Sequence, residues 1–353
     1  MTKPPIPAIT APAVITRTRR EVLIGAGAAS FGALLGSVGA PAIAQGLKSI
    51  SVSEAIHLGM YVSLYAAKHG GYFRKHGLDV AVSSAGGIAL AVPVVLSGKA
   101  SFAVTGAGMS VNATNEGAQL TNIAKIVGGV AMWAVAKPGS SIKKIEDFRG
   151  KTIATLRFPS STIQMPTFAM KERGGFDPEG AGVKFLQLPA GAQAQAVLDG
   201  RADVATMFEW DVSLAKQKFG LEPVFAFADV IGPLSWTTAI AQKSLVEKDP
   251  ALVQAFCNAI AESQAALHAD RELFVKTSIA EFPQVEPAVI RAAGENLLTK
   301  STAIPVNPTI SKQEWDTNMA LELAGGSVKS PRPYEDMVDN RFAERATKAV
   351  KKA

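Results

Sequence analysis

The sequence predicts an α/β fold of two lobes followed by a helical C-terminal segment. Three observations predict it. Strand-like and helix-like segments alternate in two successive runs, one short motif occurs once in each run, and the chain from Pro250 onward reads as almost wholly helical. At 353 residues the chain is longer than one compact core usually holds, and 48% hydrophobic with 19% charged residues is a globular composition.

The first run opens with a strand at Ser49–Glu54, a loop through His57-Leu58-Gly59, and a helix from Tyr61 to Lys75 that Gly77 ends. Leu78–Ser83 alternates apolar and polar residues as a second strand. Gly86-Gly87 opens a helix to Leu96, Ser101–Thr105 is a third strand, and Met109–Glu116 is a helix. Leu120–Val127 and Ala131–Ala136 read as further strands before the breaker Lys137-Pro138-Gly139-Ser140. The second run repeats this grammar. Strands are expected at Lys151–Leu156, Val183–Leu188, Ala202–Met207, Phe225–Phe227 and Trp236–Ala241, with helices at Ile145–Phe148, Thr162–Arg173, Ala192–Leu198 and Trp210–Phe219. Such βαβ units imply parallel-type sheets with helices on both faces.

The repeated motif is Leu-x-Gly-[Lys/Arg]-Ala-x-x-Ala, at Leu96–Ala103 and again at Leu198–Ala205. It encodes a helix end, a left-handed glycine, a basic residue that complements the helix dipole, and entry into a buried strand.

The N-terminus carries a second kind of signal. Thr18-Arg19-Arg20-Glu21-Val22-Leu23-Ile24 has the twin-arginine export pattern, and an Ala/Gly-rich apolar run extends from Val22 to Ala40. Ala42-Ile43-Ala44 supplies a small-x-small site, so cleavage is expected between Ala44 and Gln45. Glycines at 25, 27, 32, 36 and 39 dilute the run below the apolar density of a membrane anchor. Residues 1–44 are therefore expected to be a signal peptide and the remainder a periplasmic protein. Lys3, Arg17, Arg19, Arg20 and Glu21 contribute half of the formal charge of +6. No dense basic patch with interleaved aromatics remains, which excludes a nucleic-acid partner.

Catalytic and metal chemistry find little to stand on. Cys257 is the single cysteine, and the four histidines, His57, His69, His76 and His268, show no metal-ligand spacing. No nucleophile–base pair, phosphate-binding loop or dinucleotide fingerprint occurs. The expectation is a binding protein with no enzyme activity, no cofactor and no metal.

At this point the sequence resembles a family. Ala66-Ala67-Lys68-His69-Gly70-Gly71-Tyr72-Phe73-Arg74-Lys75-His76-Gly77-Leu78-Asp79-Val80 is similar to the block A-x-x-x-G-[YF]-F-x-[KE]-x-G-L-[DE]-V of the periplasmic solute-binding proteins of the nitrate/sulfonate/taurine and thiamine-pyrimidine-precursor group. Asp147-Phe148-Arg149-Gly150-Lys151-Thr152-Ile153-Ala154 resembles their D-L-[KR]-G-K-x-[IV]-[AG] block. Gly98-Lys99-Ala100 and Gly200-Arg201-Ala202-Asp203 resemble their paired G-[KR]-A-D turns. The resemblance runs from Ser49 to Leu267. It implies a type II, flytrap-like periplasmic binding protein fold whose lobes close on a solute, and an ABC permease and ATPase as partners of a monomeric receptor. Chain crossings would fall near Ala136–Ser140 and Ile231–Trp236. Lobe 1 would then comprise 45–136 and 236–353, and lobe 2 would comprise 137–235. A receptor that serves a sensor kinase has the same signature.

In open α/β sheets, ligands sit beyond the carboxyl ends of the strands. The candidate ligand residues are accordingly His57, Met60 and Tyr61 in the first loop; Ser83 and Ser84 in the second; Thr105 and Gly106 in the third; Arg157, Ser160, Ser161 and Thr162 at a helix start; and Glu209, Trp210 and Trp236. Arg157 and the hydroxyl cluster suit a sulfonate, nitrate or carboxylate. Glu209 and Asp211 beside Trp210 suit an amine or a pyrimidine ring. The sequence leaves both charges of ligand open.

Overall fold

The computed structural model describes residues 46–158 and 160–351. The twin-arginine motif and the cleavage site lie outside the described residues. In the first run, strand β1 (Lys48–Glu54) leads into helices α1 (Val62–His69) and α2 (Tyr72–Lys75), and β2 (Leu78–Ser84) into α3 (Ala91–Leu96). Next come β3 (Phe102–Gly106), α4 (Ala107–Asn115), β4 (Leu120–Val127) and β5 (Met132–Ala136). The second run continues with β6 (Thr152–Leu156), α5 (Ser161–Phe168), β7 (Lys184–Leu188), α6 (Gln193–Leu198), β8 (Val204–Phe208), α7 (Asp211–Phe219), β9 (Glu222–Ala226) and α8 (Ala228–Ile231). The chain ends with β10 (Thr237–Gln242) and helices α9 (Lys243–Lys248), α10 (Pro250–Ala269), α11 (Arg271–Glu281), α12 (Pro287–Glu295), α13 (Lys312–Ala324), α14 (Tyr334–Met337) and α15 (Arg341–Val350).

Two five-stranded sheets result, in the orders β2-β1-β3-β10-β4 and β7-β6-β8-β5-β9. In the first, β1 is parallel to β2 and β3, while β10 is antiparallel to β3 and β4. In the second, β6 is parallel to β7 and β8, while β5 is antiparallel to β8 and β9. The sheets are thus mixed, not parallel throughout as the βαβ grammar implied. Each has one antiparallel strand, and each takes that strand from the segment that has just crossed from the other lobe.

The first crossing differs from the expected one. β5 pairs with β8 and β9 and so belongs to the second sheet, which places the switch at 128–131 and not at Ala136–Ser140. Gly128-Gly129 explains it. The chain passes so closely under the 301–302 turn that a β-carbon at Gly129 would lie 2.1 Å from Ser301 O. Apolar periodicity cannot register such a passage, because the strands on both sides are equally buried. The return crossing runs alongside, with Leu234 N donating to Gly128 O at 3.2 Å.

The repeated motif folds as its chemistry requires. Gly98 follows α3 at φ 75° and Gly200 follows α6 at φ 73°, both in the left-handed region. Cys257 is buried in α10 and makes no disulfide. The C-terminal helices cover both lobes: α10 packs on α1, α12 on α7, and α13 on both α4 and α5.

Candidate functional site

The loops beyond the carboxyl ends of the parallel strands differ sharply in chemistry. On the first lobe, Glu54 closes β1 with its side chain buried. Tyr65 Oη donates to Glu54 Oε2 at 2.6 Å, and His57 Nδ1 lies 2.7 Å from Oε1, which selects the tautomer with its proton on Nδ1. Burial pushes the Glu54 carboxyl up, more than the bonds from Tyr65 and His57 pull it down. Burial, with Glu54 next to it, also raises the Tyr65 phenol. His57 Nε2 faces Glu281 Oε1 at 3.9 Å, and the imidazole stacks on Phe282 with ring centroids 4.4 Å apart. Burial pushes Glu281 up as well, but His69 and Lys68 outweigh it and hold the carboxyl below its ordinary range. His57 was legible as a loop histidine; Glu54, Tyr65 and Phe282 were not, since none carries a motif.

Met60 and Tyr61 are buried beneath this loop, and burial raises the Tyr61 phenol despite a hydrogen bond to Thr237. Ser83 and Ser84 stand exposed at the end of the edge strand β2, where Ser84 Oγ accepts from Gly86 N at 3.2 Å. Thr105 is buried, and its Oγ1 donates to Ile88 O at 2.8 Å, tying the second loop to the third. Gly106 precedes α4. Three large apolar side chains on these loops face solvent: Ile56, Ile88 and Leu90.

On the second lobe, Ser160 caps α5 by accepting from Thr162 N. Thr162 Oγ1 accepts from Leu156 N at 2.9 Å, so this hydroxyl serves the backbone. Pro166 inside α5 has no N–H for the Thr162 carbonyl, and Thr206 Oγ1 replaces it at 2.7 Å. Ser161 is half-buried and Arg157 exposed. Phe158 is pinned by its N–H to Gln187 Oε1 at 2.9 Å, while the residue is 53% exposed.

Glu209 is spent inside the protein. Ser213 N and Oγ donate to it at 3.1 and 3.0 Å, Asn296 Nδ2 also donates, and burial raises its carboxyl. Trp210 lies against Gly59 of the other lobe, edge-on to Phe282 at 5.4 Å. Asp211 remains solvent-accessible, in surroundings close enough for desolvation to raise its carboxyl. Trp236 is buried beside Phe208, with centroids 5.6 Å apart. The structure therefore brings Trp210 to the His57 loop, and leaves Arg157, Ser161, Ser83 and Ser84 accessible. A cavity of about 570 Å³ between Trp133, Lys143, Arg173, Phe225 and Asn296 includes none of the residues expected to hold ligand. Among the described residues no group of histidine, cysteine, aspartate or glutamate side chains is arranged to hold a metal ion.

Two mixed sheets joined by paired crossings, with open loops at matching strand ends, define the two-lobed periplasmic binding protein fold. The chain belongs to the NMT1/THI5-like family, whose model matches residues 60–272. A Bacillus subtilis (strain 168) protein named as a candidate binding protein, YtlA, is 24% identical over 304 residues, covering 85% of this chain and 90% of YtlA. The periplasmic aliphatic sulphonate binding protein SsuA of Escherichia coli superposes with a TM-score of 0.65 at 16% identity, over 83% of this chain and 92% of SsuA. The periplasmic nitrate-binding protein NrtA of Synechocystis PCC 6803 superposes with a TM-score of 0.62 at 12% identity, over 87% of this chain and 90% of NrtA.

Proposed function

We propose that this chain is the solute-binding component of an ABC importer, exported to the periplasm, and that it binds a small organic anion between its lobes without transforming it. The anionic end is assigned to Arg157 and Ser161 at the start of α5, and the apolar part to Ile56, Ile88, Leu90 and Phe158. One observation carries this reading. Ile56, Ile88 and Leu90 stand exposed on strand-end loops of the first lobe, and Phe158 stands exposed next to the accessible Arg157 on the second; covering what remains open of each would contribute about 1 kcal/mol. The sulphonate- and nitrate-binding proteins of the same fold support the choice of anion. A pyrimidine ring held by Glu209 and Trp210 is the weaker reading, because the Glu209 carboxylate already accepts from Ser213 and Asn296 and the Trp210 indole is packed against Gly59.

A thermal-shift panel of alkanesulfonates, nitrate, short carboxylates and an aminopyrimidine tests the proposal. An alkanesulfonate or carboxylate should raise the Tm, and Arg157→Ala should abolish the shift. A shift with the aminopyrimidine alone, or an anion shift untouched by Arg157→Ala, overturns it.

A further inference from the structure

Glu322 lies on α13 between the two lobes and is buried, with Oε1 close to Gly106 at the end of β3, 3.5 Å from where a β-carbon there would sit. Gly108 N–H, at the start of α4, donates to its carboxylate, and a β-carbon at Gly108 would sit 2.9 Å from Oε2. The Ser327 hydroxyl, from the turn that ends α13, donates as well. Ser327 Oγ in turn accepts from Gln164 Nε2 of α5. Gly325 packs so closely on Gln164 that a β-carbon there would lie 2.6 Å from Cγ, and Asn112 Nδ2 of α4 donates to Ser327 O at 2.8 Å. A directional chain of donors thus runs from Gln164 in the second lobe through Ser327 to Glu322, where a donor from the first lobe meets it.

We propose that Glu322 is a proton-operated latch: ionised, it fastens α5 to α4 through Ser327 and Gln164, and on taking up a proton it slackens that link. A hydrogen bond to a carboxylate is about twice as strong as one between neutral groups. Protonation removes this advantage and turns one carboxyl oxygen into a donor, so the bonds from Gly108 N–H and the Ser327 hydroxyl weaken to those of a neutral acceptor. Asn318, buried one turn earlier on α13, lies beside the carboxyl, and its amide offers N–H to the ionised form or C=O to the protonated one. Both states are therefore housed without opening the core. Burial pushes the Glu322 carboxyl up to about 7, where the periplasmic range of pH titrates it.

Among the described residues the neighbouring elements bring no competing charged side chain to the site. Helices α4 and α5 carry none, Glu314 and Asp316 on α13 pair with Lys125 and Lys312, and Lys329, Glu335 and Asp336 are exposed. The latch is read on the ligand-free protein, so its failure is distinguishable from failure of the ligand reading.

Backbone hydrogen exchange of the ligand-free protein, compared at about pH 6 and about pH 8 after correction for intrinsic rates, tests it. Peptides covering 161–168 and 322–328 should lose roughly threefold or more of their protection at the lower pH through local openings that leave Glu322 buried, while openings that expose it become rarer. In Glu322→Gln the protection should not change with pH. Gln164→Ala leaves Glu322 and Gly108 intact, and should give the low protection at both pH values. Wild-type protection that ignores pH, or a pH response that survives either substitution, overturns the proposal.

Discussion

The indole of Trp210 lies against Gly59, so close that a β-carbon at Gly59 would sit 2.2 Å from the ring. Only glycine admits this contact between a loop of the first lobe and the start of α7 in the second. Gly59→Ala must therefore displace the indole from Phe274 and Phe282, at about 1–3 kcal/mol of overpacking. The urea midpoint should fall, and tryptophan emission should shift to the red as the ring gains solvent. An unchanged midpoint would show that the contact contributes nothing.

Glu54 accepts from Tyr65 and faces His57 in a buried setting. Glu54→Ala leaves the Tyr65 hydroxyl without its acceptor and should cost about 1–3 kcal/mol. Glu54→Gln keeps an acceptor oxygen and should cost less. Denaturant titration of the pair distinguishes a hydrogen-bonding role from simple space filling, for which the two costs would rank by volume alone.

Stability should fall as pH rises across the neutral range. Burial raises the folded-state carboxyls of Glu322, Glu54 and Glu209, so the folded chain holds their protons more tightly than the unfolded one. Their contribution is whole below about 4.5 and is lost as pH climbs through the folded value, about 7 for Glu322. For Glu322 the loss is roughly 3 kcal/mol at most. Urea midpoints measured from pH 5 to pH 8, about half a unit apart, should show the decline, and Glu322→Gln should flatten it.

The matched glycines Gly98 and Gly200 both hold left-handed backbone, with open space where a β-carbon would go. Alanine at either should cost about 1 kcal/mol through the backbone alone. Nearly equal shifts in Tm for the two variants would confirm that the motif does the same work in each lobe; a large cost at one position would reveal a packing role there.

Much of the fold was legible because its signals are local. Gly98 and Gly200 mark helix ends, Pro138-Gly139 marks a turn, and strands such as β2 alternate visibly. The exchange of strands between sheets was not legible. Met132–Ala136 is fully buried in either lobe, and only its partners reveal which sheet it joins. The placement of the candidate residues was legible only where it is local: Ser160 stands at a helix start as expected, whereas the engagement of Glu209 depends on Asn296, far away in sequence. Glu322 carried no signal at all, since a glutamate on a predicted helix reads as a solvated face.

The exchanged strands also impose an order of assembly. β10 fills the gap between β3 and β4, yet it leaves the ribosome only after every strand of the second sheet. Until then the first sheet has two unpaired edges within its own interior, while the second already has all five of its strands. The lobe that begins the chain is the last to be completed, and a nascent chain stopped before residue 237 would display those open edges to any strand that could pair with them.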